Sequence, residues 1–202
     1  MDEELVSAWE KKGITLGLYY YEGLAKLVPA YFPHLVDEEL KDKHKRGFTG
    51  LHCEVFPGWP WNGPMAYVTA QLWWDVTRNV DDLLRDYFTQ LYGPAADPMS
   101  RLYDLFERIH MRPRSGGFLY EHYKLAQFRP YTAEDLATMR ACLAEAHRLA
   151  VEEKGPYRPP KDDVAQRVAY VSRGLQVFLT MLDAYTAAIA LDTPADLDNI
   201  SV

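Results

Sequence analysis

The chain is poor in the residues that usually announce a chemistry. It has only two cysteines, Cys53 and Cys142, far apart and forming neither a CxxC pair nor a disulfide framework. Both fall in apolar segments, so two inert core thiols are expected, with the redox compartment undetermined. Basic residues are outnumbered, 22 Lys and Arg against 29 Asp and Glu, for a net charge of −7. The one basic run, Lys41-Asp42-Lys43-His44-Lys45-Arg46, reads as the solvated end of a helix, where cations suit the macrodipole. Binding a phosphate backbone takes a basic face, so no nucleic-acid partner is expected. No apolar run reaches the roughly 18 residues that span a bilayer. Met1-Asp2-Glu3-Glu4 also lacks the basic start and apolar stretch of a signal peptide. The expectation is a soluble chain with no membrane partner.

Signature motifs are missing as well. There is no G-x-S-x-G elbow, no phosphate-binding glycine loop and no dinucleotide fingerprint, so no cofactor is expected. The six histidines (His34, His44, His52, His110, His122, His147) show no HExxH-like spacing. His52 and Glu54 share one strand face by their period of two, but a metal there is not expected.

What the chain does have is apolar and aromatic mass. Apolar residues make up 48% of it and aromatics 13%, with 14 Tyr, 8 Phe and 5 Trp. That is ample for a packed core and excludes bulk disorder. Core filling accounts for most aromatics. The loop Phe56-Pro57-Gly58-Trp59-Pro60-Trp61 offers the rest as a binding surface.

Along the chain, residues 3–12 read as a short helix closed by Gly13. Ile14 to Tyr21 is β-rich and nearly continuously apolar, the pattern of a strand buried on both faces. A polar helix near 34–46, stopped by Gly47, separates it from a second strand at 48–55. Two such strands with a helical crossover form a βαβ unit, expected to be parallel and right-handed. A loop over 56–63 follows, and the pattern is helical thereafter. Asn79 with Asp82, and Thr132 with Asp135, mark helix starts. Trp73 and Trp74 point about 100° apart on a helix ending at Asp75, so one enters the core and the other meets a neighbouring layer. A helix near 95–111 precedes a long loop over 112–131. The last helix repeats Val164, Val168, Val171, Leu175, Phe178, Leu182, Tyr185 and Ile189 at four-three spacing. That seam pairs with Leu136, Met139, Leu143, Ala146 and Ala150 of the helix before it, in an antiparallel hairpin turned at Gly155 to Lys161. The fold class is mainly α with a small parallel β component, divided as a strand-bearing segment 1–63 and a helical bundle 64–202. Two parallel strands alone are marginal. Either segments outside this sequence complete the sheet, or the helices and a second copy cover it.

Glu22 and Glu54 each fall at the C-terminal end of a strand. In a (β/α) barrel that end is the catalytic face, and glycoside hydrolysis uses a carboxylate pair. The plainer alternative is two solvated loop carboxylates. Tyr20, Tyr21, Trp59 and Trp61 lie beside them in this layout, with flat faces suited to sugar rings; a loop folded back on the helices would instead bury the tryptophans.

Ala66-Tyr67-Val68-Thr69-Ala70-Gln71-Leu72-Trp73-Trp74-Asp75-Val76, Asn79 to Phe88, and Leu91-Tyr92-Gly93-Pro94-Ala95-Ala96 together resemble an uncharacterised family. It is a domain of unknown function in glycoside-hydrolase-like proteins, akin in layout to α-glucuronidases and β-hexosaminidases. The likeness runs from about Leu16 to Ala187. It implies a TIM-barrel core followed by a helical bundle, of which this chain matches the last barrel strands and the bundle. The segment expected to carry the general acid has no counterpart here. The resemblance thus implies the C-terminal portion of a carbohydrate-active protein, with Glu22, Glu54, Tyr20, Tyr21, Trp59 and Trp61 contacting a sugar and no independent catalysis. Its partners would be a carbohydrate ligand and either a missing upstream barrel half or a second copy. The alternative is a non-enzymatic helical module for association, suggested by the regular seam and acidic surface.

Overall fold

The computed structural model describes residues 3–22, 27–55, 58–112, 125–152 and 163–190, excepting the side chains of Glu22, Val55, Leu125, Ala126, Glu152 and Ala190. Most of the expected loop 112–131, the Gly155-to-Lys161 turn and the tail after Leu191 lie outside them.

The chain opens with α1 (Glu3–Glu10), β1 (Gly17–Glu22), α2 (Pro33–Lys45) and β2 (Gly50–Val55). The end of α2 shows how local chemistry sets the order. Gly47 has φ +82°, which a side chain would oppose. Its N–H donates to the His44 carbonyl and the Phe48 N–H to that of Lys43. Those two bonds are a Schellman stop and aim the chain into β2. Lys43 and Arg46 then tie α2 to α1: Arg46 Nε and Nη1 lie 2.7 and 2.6 Å from Glu10 and Glu3.

β1 and β2 pair in parallel as expected, with Tyr19 opposite His52, Tyr20 opposite Cys53, Tyr21 opposite Glu54 and Glu22 opposite Val55. The two-sided burial expected of them does not occur. Leu18 is buried at 3% exposure, and Leu16, Tyr20 and Leu51 pack on the core. Tyr19 and Tyr21, on the other face, are 51% and 45% exposed. Continuous apolarity here reflects one face on the core and one aromatic face in solvent.

Helices α3 (Trp59–Trp74), α4 (Val80–Tyr92), α5 (Ala96–His110), α6 (Ala133–Glu152) and α7 (Val164–Ala190) follow. Each packs on the next, and α7 returns to α3, closing a ring of five helices. The α6–α7 pair is antiparallel: Arg140 meets Asp183, and seven residues on His147 meets Ser172. The seam from Val164 to Tyr185 is buried as expected, but Ile189 is 54% exposed, beyond the neighbours that cover the rest. Both helix-start readings hold. Asn79 accepts the Asp82 N–H at 3.0 Å, and Thr132 and Asp135 cap reciprocally at 3.1 and 2.8 Å. Trp73 packs on the core while Trp74, 91% exposed, has no neighbouring layer over it among the described residues.

The loop expected over 56–63 is corrected, because α3 begins at Trp59. Proline fits a first helical turn, where its missing N–H has no partner to lose. Pro64 is a harder case, since it cannot donate to the Pro60 carbonyl one turn back. The buried Tyr103 hydroxyl donates to that carbonyl instead. Two glycines allow the close packing around it. A Cβ on Gly63 would lie 2.7 Å from the Tyr87 hydroxyl, and one on Gly174 would collide with the Pro60 ring. The boundary expected at residues 63 and 64 therefore falls inside a helix, and one cluster of buried residues runs from Val6 to Tyr185.

Candidate functional site

The solvent face of the sheet gathers four chemically capable side chains. Alternation along each strand and the register place Tyr19, Tyr21, His52 and Glu54 together. The Tyr19 and His52 rings stack in parallel, with centroids 4.9 Å apart and planes 2° from coplanar. Tyr21 meets Tyr19 edge-on, also at 4.9 Å. The Tyr19 hydroxyl donates to Glu54 Oε1, which fixes the carboxylate against the aromatic row. The result is a platform, a row of half-exposed aromatic rings with a hydrogen-bond acceptor at its edge.

Of the residues expected at the site, Tyr21 and Glu54 are on this platform. Glu22 sits opposite Val55, one position out of step with Glu54, and its side chain is outside the described residues. Tyr21 is the register partner of Glu54. Tyr20 packs on the core side. Trp61 is drawn into the bundle: its indole N–H donates to the Gly174 carbonyl at 3.2 Å and its ring meets Phe178 edge-on. Trp59 is 51% exposed, at the start of α3 against Gly63. Tyr19 and His52 had no place in the expected sugar site, although counting by two from Glu54 and across the parallel register reaches both.

A second polar cluster lies where the start of α2 meets α4 and α5. Glu107 accepts the His34 backbone N–H at 3.1 Å and has its other oxygen 2.6 Å from Nδ1. Asp81 Oδ1 is 3.1 Å from Nε2. His34 and Asp81 help line a cleft of about 520 Å³, together with Leu84, Phe88, Asp97 and Asp104. Burial, then the like charge of Glu107, raises the Asp104 carboxyl above its ordinary range. Among the described residues no group of three His, Cys, Asp or Glu is arranged to hold a metal ion. Cys53 is half-buried and Cys142 buried, both free thiols; burial pushes the Cys142 thiol up, in keeping with an inert one. No described helix is long and apolar enough to cross a membrane.

Comparison with known proteins bears on the residues of the platform and on His34 and Asp81 of the second cluster, but not on Glu107. A family described as a domain of unknown function (DUF4838) matches residues 2–104. The matched segment holds both strands and the whole platform, and it ends within α5, short of the α6–α7 hairpin to which the expected resemblance extended. No curated protein and no solved structure matches the chain. With just over half of its length matched, the chain belongs to the DUF4838 domain family.

Proposed function

We propose that the solvent face of the sheet binds carbohydrate, and that it binds sugar without cleaving it alone. The observation that carries this reading is the Tyr19–His52 stack with Tyr21 and Glu54 around it. A pyranose presents axial C–H groups on one side and hydroxyls at its rim. The ring edges and faces of Tyr19 and Tyr21 suit the first, and the Glu54 carboxylate accepts from the second. A row of half-exposed rings favours an extended or flat glycan over a single enclosed sugar. Kinship with the late strands of a glycoside-hydrolase-like barrel is part of the same proposal, supported by the parallel pair with a helical crossover ahead of a bundle.

The test is a glycan array followed by calorimetry on the chain as it stands. Tyr19→Ala, Tyr21→Ala and Glu54→Gln should each weaken binding of the best ligand at least about tenfold, about 1.4 kcal/mol, with helical content unchanged. Failure to bind any glycan, or binding indifferent to all three changes, rejects the site.

A second reading is an association module. The outer side of α7 exposes Tyr170 and Val177, seven residues apart, at 48% and 65%. Sedimentation decides it: self-association that Val177→Glu abolishes favours this reading, and a monomer at high concentration dismisses it.

A further inference from the structure

His34 is the second residue of α2, and three helices meet on its side chain. The residue before the helix, Phe32, has no side-chain acceptor for the orphan N–H groups of the first turn. Glu107 of α5 supplies one from across the fold, capping the His34 N–H and holding Nδ1 with its two oxygens. Glu107 is 14% exposed, so this link is largely shielded. Asp81, in the first turn of α4, engages the other ring nitrogen.

A neutral imidazole donates through only one nitrogen. With Nδ1 committed to Glu107, Nε2 carries a proton toward Asp81 only in the imidazolium. Once that proton leaves, a lone pair faces a carboxylate at 3.1 Å.

The other charges nearby do not supply a substitute. Asp104 and Glu107, both on α5, add negative charge, and Arg108 offsets part of that on Asp104. Arg85 of α4 is engaged by Asp82 at 2.6 Å, and Asp97 of α5 by Arg101 at 3.0 Å. On α2 itself, Asp37 is paired with Lys41 at 2.7 Å.

We propose that His34 is a proton-operated latch: its imidazolium ties α2 to α4 and α5 at once, and loss of the Nε2 proton releases Asp81 and loosens α2 from the bundle. The latch is separate from the sheet face and does not depend on what that face binds. Burial works against the charged ring, but the hydrogen bonds and charges of Asp81 and Glu107 outweigh it and hold the proton above the usual imidazole range. A raised folded-state pKa means the folded chain binds the proton more tightly. The stabilisation is therefore complete below the unfolded value of about 6.5 and is lost as pH climbs through the raised folded value. Asp104, raised by burial and by Glu107, has the same sign, and His34→Gln leaves it in place, so that variant separates the two.

The experiment is amide hydrogen exchange on the full chain from pH 6 to 9, corrected for intrinsic rates, beside an NMR titration of the imidazole. In the wild type, protection of residues 33–45 relative to α7 should fall across the His34 titration by up to about tenfold for each unit its pKa is raised. His34→Gln should make that ratio independent of pH. Should His34→Gln fail to fold, Asp81→Asn, at a side chain 66% exposed, should fold and show a smaller fall. A flat wild-type ratio, an unchanged fall in His34→Gln, or a full fall in Asp81→Asn each overturns the latch.

Discussion

The tyrosines of the sheet and those of the bundle are the same residue put to opposite uses. Tyr87, Tyr92 and Tyr103 of the bundle are buried among one another and Phe88, and Tyr31, just before α2, is buried against Tyr103. Burial holds the phenols of Tyr31, Tyr87 and Tyr103 well above their ordinary range, and pushes that of Tyr92 up to about 12. Tyr19 packs on Tyr21 and on His52, and both tyrosines have about half their surface in solvent. An aromatic on a helix inside a closed ring has neighbours on every side. One on the outer face of a two-stranded sheet has neighbours only along that face. Aromatic content alone therefore overstates the core and hides the platform.

The contrast can be broken hardest from the bundle side. Phe178 is fully buried and touches Trp61, Phe128 and Tyr131. Phe178→Ala should cost about 3–5 kcal/mol, read as a lower midpoint in urea at unchanged slope. A cost below about 1 kcal/mol would mean the five-helix ring is not the stabilising unit.

A smaller effect sets the two regions apart by pH. Asp135 completes the cap of α6 and receives both Nη groups of Arg112 at 2.5 and 2.8 Å. Burial disfavours its charge, but Arg112 and the Thr132 backbone and hydroxyl outweigh that and hold the carboxyl below its usual range. A lowered folded-state pKa gives stability present above the unfolded value of about 3.9 and lost as pH falls through the folded one. Asp135→Asn should cost about 1–3 kcal/mol at pH 7 and flatten the acid limb of the stability curve. This is the reverse of the His34 latch, which weakens as pH rises. If the mutant kept the full acid limb, the Arg112 pair would carry no weight.

What could be read from sequence was what is local. The caps at Asn79 and Thr132, the stop at Gly47 and the seam of α7 depend on residues within a few positions of each other, and each is found where its pattern lies. Period-two alternation and a parallel pairing were also within reach; they lead from Glu54 to His52, Tyr21 and Tyr19. The start of α3 was missed because Pro60 and Pro64 resemble a loop until Tyr103, some forty positions on, is known to take the Pro60 carbonyl. The clamp on His34 was out of reach, since Asp81 and Glu107 are 47 and 73 residues away and meet it only through helix packing.

The smallest expected effect separates function from stability on the sheet itself. Tyr21 is 45% exposed and its ring meets that of Tyr19 in a T-shaped contact. Little apolar surface returns to water when it is cut back, and the strand bonds through its backbone stay in place. Tyr21→Ala should therefore shift stability by less than about 1 kcal/mol, several times less than Phe178→Ala. It should still remove one wall of the platform, so glycan affinity should fall while the urea midpoint barely moves. A midpoint that falls as far as in Phe178→Ala would make the sheet face part of the core, and its exposed tyrosines would then be packing residues.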